Sequence, residues 1–401
     1  MPLVVQKYGG SSVKDVGRVK AVAERVAERH HAGNQMVVVV SAMGDTTDEL
    51  IDLAQKIAPD PEPREMDMLL STGELISSAL VTMALHALGY KAVALSGPQA
   101  GIMTDATFSK AKISAIDPAR LKRELDDGKI VIVAGFQGLT DDQDIATLGR
   151  GGSDTTAVAL AARLKAASCE IYTDVDGIYT ADPRIVPEAR KLDGISFEEM
   201  LEMAQMGARV MHPRAVELGQ IYGMPITVRS SYSDREGTVI GVETANKVTG
   251  IAHDTDVAKI TVVGVPDQPG VAHRLFAPLS AAAINVDTIV QNVGHAGKTD
   301  ISFTVTKTDL PSTQKFVESV ARDLGAETVV ANPNMAKVSI VGTGIQNHPG
   351  YAARMFGAMS EAGINIEMIS TSEIRITVLI DREQVQDAVR ALHRSFELDK
   401  A

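Results

Sequence analysis

Leu3-Val4-Val5-Gln6-Lys7-Tyr8-Gly9-Gly10-Ser11-Ser12-Val13 stands almost at the start of the chain. Leu3 to Gln6 read as a strand, the glycines interrupt it, and Val13, Val16, Val19, Ala23 and Val26 follow at helical spacing. The all-valine run Val37 to Val40 then reads as a strand buried on both faces. Strand, glycine turn, helix and strand make a βαβ unit. The pattern recurs downstream, with strands expected over Lys91 to Leu95, Ile130 to Ala134, Glu170 to Thr173 and Ile226 to Arg229, and a helix over Thr155 to Lys165. Such alternation predicts an α/β fold with a mainly parallel sheet sandwiched by helices. Ligands in this class bind at the carboxyl ends of the strands.

The second half repeats itself. Asp267-Gln268-Pro269-Gly270 matches Asn347-His348-Pro349-Gly350, and Ile284-Asn285-Val286-Asp287 matches Ile364-Asn365-Ile366-Glu367, both at an offset of 80. Thr299 to Val305 then matches Ser372 to Val378 at an offset of 73, so the first copy carries seven more loop residues, around Gly294 to Lys298. Each copy reads strand, Pro-Gly turn, amphipathic helix, strand, strand, helix, a small ferredoxin-like βαββαβ unit. The polar stretch near Glu243 to Asp256 has no clear periodicity and separates the halves. The expected domains are 1–245, a linker at 246–258, and two repeats at 259–335 and 336–401.

Length and composition bound the function. With 401 residues, 45% hydrophobic and 22% charged, the chain has the usage of a globular protein of two or three domains. Its 39 Lys and Arg against 51 Asp and Glu leave a formal charge of −12, which repels nucleic acid and anionic membranes on average. Cys169 stands alone, so no intramolecular disulfide forms, and Met1 to Val13 lacks the pattern of a signal peptide. The reading is cytoplasmic, with no membrane-spanning segment and no nucleic-acid partner.

Four loops carry candidate chemistry. Lys7 to Ser12 joins a strand to a helix, so glycine amides and a helix N-terminus can cradle phosphate oxygens while Lys7 adds a charge; a tight turn would also use these glycines. Thr147-Leu148-Gly149-Arg150-Gly151-Gly152-Ser153-Asp154 again opens a helix, and Arg150 can clamp a carboxylate with two parallel hydrogen bonds. Tyr172 to Arg184 ends a strand with three acids, two tyrosines and an arginine, suited to a nucleotide and its metal ion, or equally to a solvated Asp-Gly turn. Ser71-Thr72-Gly73-Glu74 reads as a helix start, with Glu74 as a first-turn acid. Gly297-Lys298-Thr299 lacks the first glycine of a P-loop, since position 292 is Asn292. His212 has no second His or Cys at ligand spacing and reads as a packed loop residue, so no resident metal site is expected.

Lys7 to Ser12, Ser41 to Asp48, Ser71 to Glu74, Gly135 to Gly138, Thr147 to Asp154 and Tyr172 to Arg184, followed by the tandem repeats, resemble the aspartate kinases (aspartokinases) of the amino acid kinase family, which carry two ACT domains. The resemblance covers essentially the whole chain. It implies phosphorylation of the β-carboxylate of L-aspartate by Mg-ATP to 4-phospho-L-aspartate, the first step towards diaminopimelate, lysine, threonine and methionine. By the same resemblance Lys7, Gly10 and Asp154 serve catalysis, and Lys7 stabilises the transferring phosphoryl group. Ser41, Thr47, Glu74, Arg150, Gly151, Gly152 and Ser153 hold aspartate, Glu74 at its ammonium and Arg150 at its α-carboxylate. Lys7, Tyr8, Gly9, Gly10, Thr173, Asp174, Tyr179, Asp182, Arg184 and Arg209 hold ATP with its Mg²⁺. Arg209 stands where the family often has lysine, which keeps the charge and changes the geometry.

For the repeats the resemblance implies effector sites at Asp267, Pro269, Gly270, Asn285, Asp287 and Gln291, and at Ala352, Asn365, Ile366, Glu367, Ser372 and Glu373. Lysine and threonine acting together are the expected inhibitors, and paired ACT modules imply a homo-oligomer. Whether a shorter regulatory chain joins a mixed assembly stays open. Two rivals are weighed. A glutamate 5-kinase or acetylglutamate kinase would not be expected to carry the paired repeat, and a non-catalytic sensor could lose Lys7 and Arg150, both of which are present.

Overall fold

The structure, a computed structural model, describes residues 1–244, 247–282, 284–292, 294, 297–345 and 349–400. Ala245 and Asn246 at the expected boundary, His295 and Ala296 of the longer loop, Asn347 and His348 of the second repeat motif, and Ala401 lie outside the described residues. The chain divides into two compact units.

The first unit holds β1 (Leu3–Tyr8), α1 (Val16–His31), β2 (Gln35–Val40), α2 (Thr46–Ile57), α3 (Pro63–Ala87), β3 (Ala92–Leu95), β4 (Ile102–Thr104), β5 (Ile113–Ile116), α4 (Ala119–Asp126), β6 (Ile130–Ala134), β7 (Gln137–Leu139), β8 (Ile145–Thr147), α5 (Gly152–Leu164), β9 (Ser168–Thr173), β10 (Gly194–Ile195), α6 (Phe197–Gln205), α7 (Pro213–Tyr222), β11 (Ile226–Ser230) and β12 (Thr238–Ile240). The end of α6, with the rest of 205–208, clusters with the second unit. An eight-stranded sheet runs β10-β12-β11-β9-β1-β2-β6-β3. From β11 through β9, β1, β2 and β6 to β3 every pairing is parallel, and only β12 runs antiparallel to its neighbour β11. Val37 to Val40 are completely buried, as the valine run required.

Asp15 caps α1 by accepting the Arg18 amide at 2.9 Å, and Val19, Val22, Ala23, Val26 and Ala27 form its buried stripe. Each such valine contributes roughly 1.5–3 kcal/mol against its exposed state. A second sheet, β5-β4-β7-β8, lies within this unit. Helix α3 begins at Pro63 and not at Ser71, so Glu74 is in mid-helix, and the first-turn reading is corrected. Among the described residues α3 is the one helix long and apolar enough to cross a membrane. Half of that window is buried, and Asp67 and Glu74 are among its buried residues, which marks a core helix.

The second unit contains β13 (Gly250–Pro266), α8 (Val271–Ala281), β14 (Ile289–Gln291), β15 (Lys298–Val305), α9 (Leu310–Leu324), β16 (Thr328–Val341), α10 (Tyr351–Glu361), β17 (Met368–Ser372), β18 (Arg375–Asp381) and α11 (Val385–Ser395). Its six strands run β14-β15-β13-β16-β18-β17. The expected linker at 246–258 is corrected, because Gly250 to Asp254 pair with Val341 to Lys337 as a strand of the second repeat. The downstream half of β13 belongs to the first repeat, where Ala258 to Val262 pair with Val305 to Ile301. The second repeat therefore takes its outer strand from residues that precede the first. In both copies the Pro-Gly turn places a left-handed glycine, Gly270 or Gly350, at the helix N-cap.

Residues Thr180–Arg190 also cluster with this second unit. Ala181 and Val186 are buried in the same apolar cluster as Val338, Ile340, Met355 and Leu392. Thr180 hydrogen-bonds through Oγ1 to Nε2 of the buried His393 at 3.0 Å, and its carbonyl accepts the Ile251 amide at 2.8 Å.

Candidate active site

Parallel pairing brings the carboxyl ends of β1, β2, β6 and β9 to one edge, so the segments after Tyr8, Val40, Ala134 and Thr173 converge there. Lys7 projects from the last turn of β1, and its Nζ lies 2.6 Å from Oδ1 of Asp154 in the first turn of α5. The Asp154 oxygen meets no hydrogen-bond geometry, so the contact is a charge pair held at the cleft rather than an aligned hydrogen bond.

After Tyr8 the chain turns tightly. The Gly9 amide donates to the Tyr172 carbonyl at 3.2 Å, and a methyl added to Gly10 would stand 2.9 Å from the Ala42 carbonyl oxygen. Gly10 is thus required for close approach to the loop after β2. That loop is fixed from two sides, with the Ser41 amide donating to the Tyr8 carbonyl at 3.0 Å and Ser77 Oγ donating to the Ser41 carbonyl at 2.7 Å. Gly73 permits the same packing, since a methyl there would meet Ala42 Cβ at 2.8 Å.

Glu74 is 4% exposed. Its Oε1 accepts the Ala42 amide at 3.1 Å, while Oε2 is buried with no hydrogen-bond partner among the described residues. Burial pushes the carboxyl up to about 7, against a smaller lowering by the Ala42 amide. An orphaned buried carboxylate oxygen costs stability unless a cationic group arrives to satisfy it. Thr47 is half-buried in the first turn of α2, close in sequence to this loop.

The Arg150 loop is built on left-handed glycines. Gly149 has φ +74°, Gly151 has φ +70°, and a methyl on Gly151 would overlap the His212 ring. Gly152 and Ser153 begin α5, and Ser153 packs so closely that a methyl on Gly135 would lie 2.7 Å from its Oγ. Arg150 itself is exposed, with no ion pair among the described residues. His212 caps α7, accepting the Arg214 amide on Nδ1 at 3.3 Å, and burial lowers its pKa ahead of the opposing pull of Asp154.

The remaining residues expected to hold nucleotide are placed as follows. Tyr8 is fully buried with its ring stacked 4.8 Å from Tyr172, so its side chain supports the sheet. Thr173 Oγ1 donates to the exposed Asp174 at 3.0 Å, and Tyr179 OH donates to Asp176 at 2.7 Å. Burial and the Asp176 bond push the Tyr179 phenol up to about 12. Asp182 and Arg184 belong to the second unit and pair with each other at 2.7 Å, which holds the Asp182 carboxyl below its usual range. Arg209 is exposed in the first unit.

In the repeats, Asp267 is exposed just before α8, whereas Asn285 follows the far end of that helix, about 16 Å along its axis. Asn285 lines a pocket of about 240 Å³ with Phe276, Leu279, Ser280 and Ile289. Asp287 forms an ion pair with Lys337 of the second repeat, and Glu367 forms one with Lys259 of the first at 3.0 Å. Gln291 sits on the edge strand β14, while Asn365, Ser372 and Glu373 are exposed and Ala352 and Ile366 partly buried. A single copy of the chain therefore does not gather the expected effector residues into one cluster.

The strand ends of the first unit thus carry a lysine beside a glycine turn, while a buried acid on α3 and an exposed arginine before α5 belong to the same unit. A model of the amino acid kinase family matches residues 2–230, and ACT domain models match 259–324 and 338–396. An aspartokinase of Mycolicibacterium smegmatis is 54% identical over 99% of this chain and 97% of its own length. The chain belongs to the aspartokinases of the amino acid kinase family. Like its family, it is a kinase enzyme with an amino acid kinase fold and C-terminal ACT domains. E. coli aspartokinase III in complex with aspartate and ADP (R-state) is 26% identical, with 98% of this chain and 100% of that chain covered and a TM-score of 0.84. The same E. coli enzyme in complex with lysine and aspartate (T-state) is 27% identical over 98% and 99%, with a TM-score of 0.75.

Proposed function

We propose that the cleft of the first unit transfers the γ-phosphoryl group of Mg-ATP to the β-carboxylate of L-aspartate, giving 4-phospho-L-aspartate. The observation that carries this reading is Glu74, a nearly inaccessible carboxylate with one oxygen unpaired. An α-ammonium satisfies it, and Arg150 is free to grip the α-carboxylate through two parallel hydrogen bonds. The acceptor β-carboxylate, with pKa near ~3.9, is ionised at neutral pH and needs no general base. Positioning and neutralisation of charge are what the transfer demands. Lys7, held by Asp154 at 2.6 Å, and the amide of Gly10 supply donors for the phosphoryl oxygens. Mg²⁺ arrives on the triphosphate as part of the substrate.

The ACT repeats are assigned to feedback control by lysine and threonine, in a homo-oligomer of a cytoplasmic enzyme on the route to lysine, threonine and methionine. The lysine complex of the E. coli relative supports an amino-acid effector. The test is ATP-dependent formation of a hydroxylamine-trapped acyl phosphate from L-aspartate, with L-glutamate as control. Product from aspartate, suppressed most by lysine and threonine together, is expected. Absence of product from folded protein supplied with Mg-ATP overturns the assignment, and product without suppression overturns the regulatory part.

A further inference from the structure

Asp67 lies in α3 with no exposed surface, and among the described residues no cation pairs with it. Burying a carboxylate without a counter-ion is costly, so its hydrogen bonds must repay the cost. Oδ2 accepts the backbone amides of Thr147 at 2.7 Å and Ser109 at 2.8 Å, while Oδ1 accepts the Thr147 hydroxyl at 2.7 Å and, at the long limit of 3.4 Å, that of Ser109. Every group facing this side chain is a donor. A carboxylate accepts all four at once, whereas asparagine would replace the charge-assisted bonds to the two amides with neutral ones and would have to reverse the bonds to the two hydroxyls.

One of the two donor residues, Thr147, forms the stem of the Arg150 loop, and the other, Ser109, packs against it, since a methyl on Gly149 would lie 2.8 Å from the Ser109 carbonyl oxygen. Thr147 is fixed by Asp67 at its amide and by the Ala111 amide at its carbonyl, 2.9 Å away. Leu148 is fixed by the Phe136 carbonyl at its amide, 2.8 Å, and by Arg214 Nη1 at its carbonyl, 3.0 Å. Two residues later comes Arg150. On the same helix, Glu74 stands seven residues beyond Asp67, two turns along one face and about 10 Å away along the axis. One rigid helix thus fixes both the acid offered to an ammonium and the loop that offers the arginine to a carboxylate.

We infer that Asp67 is a positioning residue that sets the span between Glu74 and Arg150, and so selects substrates carrying an α-ammonium and an α-carboxylate together. This rests on the aspartate reading above. Its effect falls on aspartate and leaves the nucleotide side alone.

The test compares wild type, Asp67→Asn, Arg150→Ala and the double variant in acyl-phosphate formation and in aspartate binding by calorimetry. Asp67→Asn is expected to raise KM for aspartate at least tenfold, with KM for Mg-ATP and kcat at saturation within about threefold. In the Arg150→Ala background the Asn substitution should weaken aspartate binding no further, because the arginine it positions is gone. Thr147→Val removes one of the four bonds and keeps the chain folded should Asp67→Asn not fold; it is expected to raise KM for aspartate about threefold, again without effect on Mg-ATP. An unchanged KM for aspartate, equal losses for both substrates, or full additivity with Arg150→Ala overturns the inference while an active wild type keeps the aspartate reading. A wild type that makes no acyl phosphate from aspartate overturns both.

Discussion

Replacement of Glu74 by glutamine separates the cost of a buried carboxylate from its use. In the free enzyme burial pushes this group from 4.5 to about 7. Between those values the folded chain retains a proton that the unfolded chain has released, so stability falls as pH climbs through the window. Glu74 contributes fully below pH 4.5, and by about pH 7 its contribution is gone. At 1.36 kcal/mol per pH unit, the gap is worth on the order of 3 kcal/mol. The Gln variant carries no such titration, and any penalty from its unpaired amide is independent of pH. Its stability relative to wild type should therefore rise by about 2.5 kcal/mol between pH 5 and pH 8, measured by urea denaturation of ligand-free protein at each pH. Aspartate binding to wild type at pH 6.5 should release a proton, detected as a dependence of binding heat on the buffer's ionisation enthalpy, and the variant should show none. Parallel stability profiles for the two proteins from pH 5 to pH 8 would refute the reasoning.

Three further outcomes follow from the site. Lys7→Ala is expected to lower kcat on the order of a hundredfold, the usual worth of a donor aimed at transition-state charge, with the fold intact by circular dichroism; near-normal turnover removes Lys7 from that role. Gly151→Ala forces a side chain into left-handed backbone and into the His212 ring, so KM for aspartate should rise more than tenfold in steady-state assays, and an unchanged KM would show that the Arg150 loop tolerates displacement. Asp267→Ala should abolish inhibition by lysine plus threonine while sparing basal activity, since Asp267 is an exposed residue of the second unit; inhibition equal to wild type dismisses it as an effector ligand.

What could be read beforehand depended on whether local pattern and tertiary partner agreed. Val37 to Val40 and the stripe of α1 announced themselves because their burial follows a simple period. Helix α3 did not, because its buried face mixes Leu70, Val81 and Leu85 with polar residues while other apolar residues face outward. Asp67, Ser71, Glu74 and Ser78 are buried at helical spacing, while Met68, Ile76 and Met83 face outward, so apolar periodicity alone does not single out the buried face. Glu74 was singled out by a resemblance and Asp67 was missed, since its partner Thr147 lies 80 residues away and nothing local signals the contact. The Gly250–Asp254 strand was equally hidden. His253, Asp254 and Asp256 break its alternation, and it is a strand because Lys337 to Val341 offer it a ladder.

The nesting of the two repeats has an architectural corollary. Where the first repeat leaves and rejoins the second, Lys259 lies beside Asn332 and Val257 beside Met335 on neighbouring strands, about 4.8 Å apart. The whole first repeat is therefore a cassette spliced into what would otherwise be a plain hairpin. Cut at these points and joined by a two-residue turn, the remaining β13, β16, α10, β17, β18 and α11 keep the Gly250–Asp254 ladder to Val341–Lys337, whereas a fragment begun after residue 258 leaves β16 with a bare edge over Lys337 to Val341. During synthesis the strand at 250–254 has to stay unpaired until more than eighty further residues have been made, so the outer repeat closes last around an inner one that is already complete.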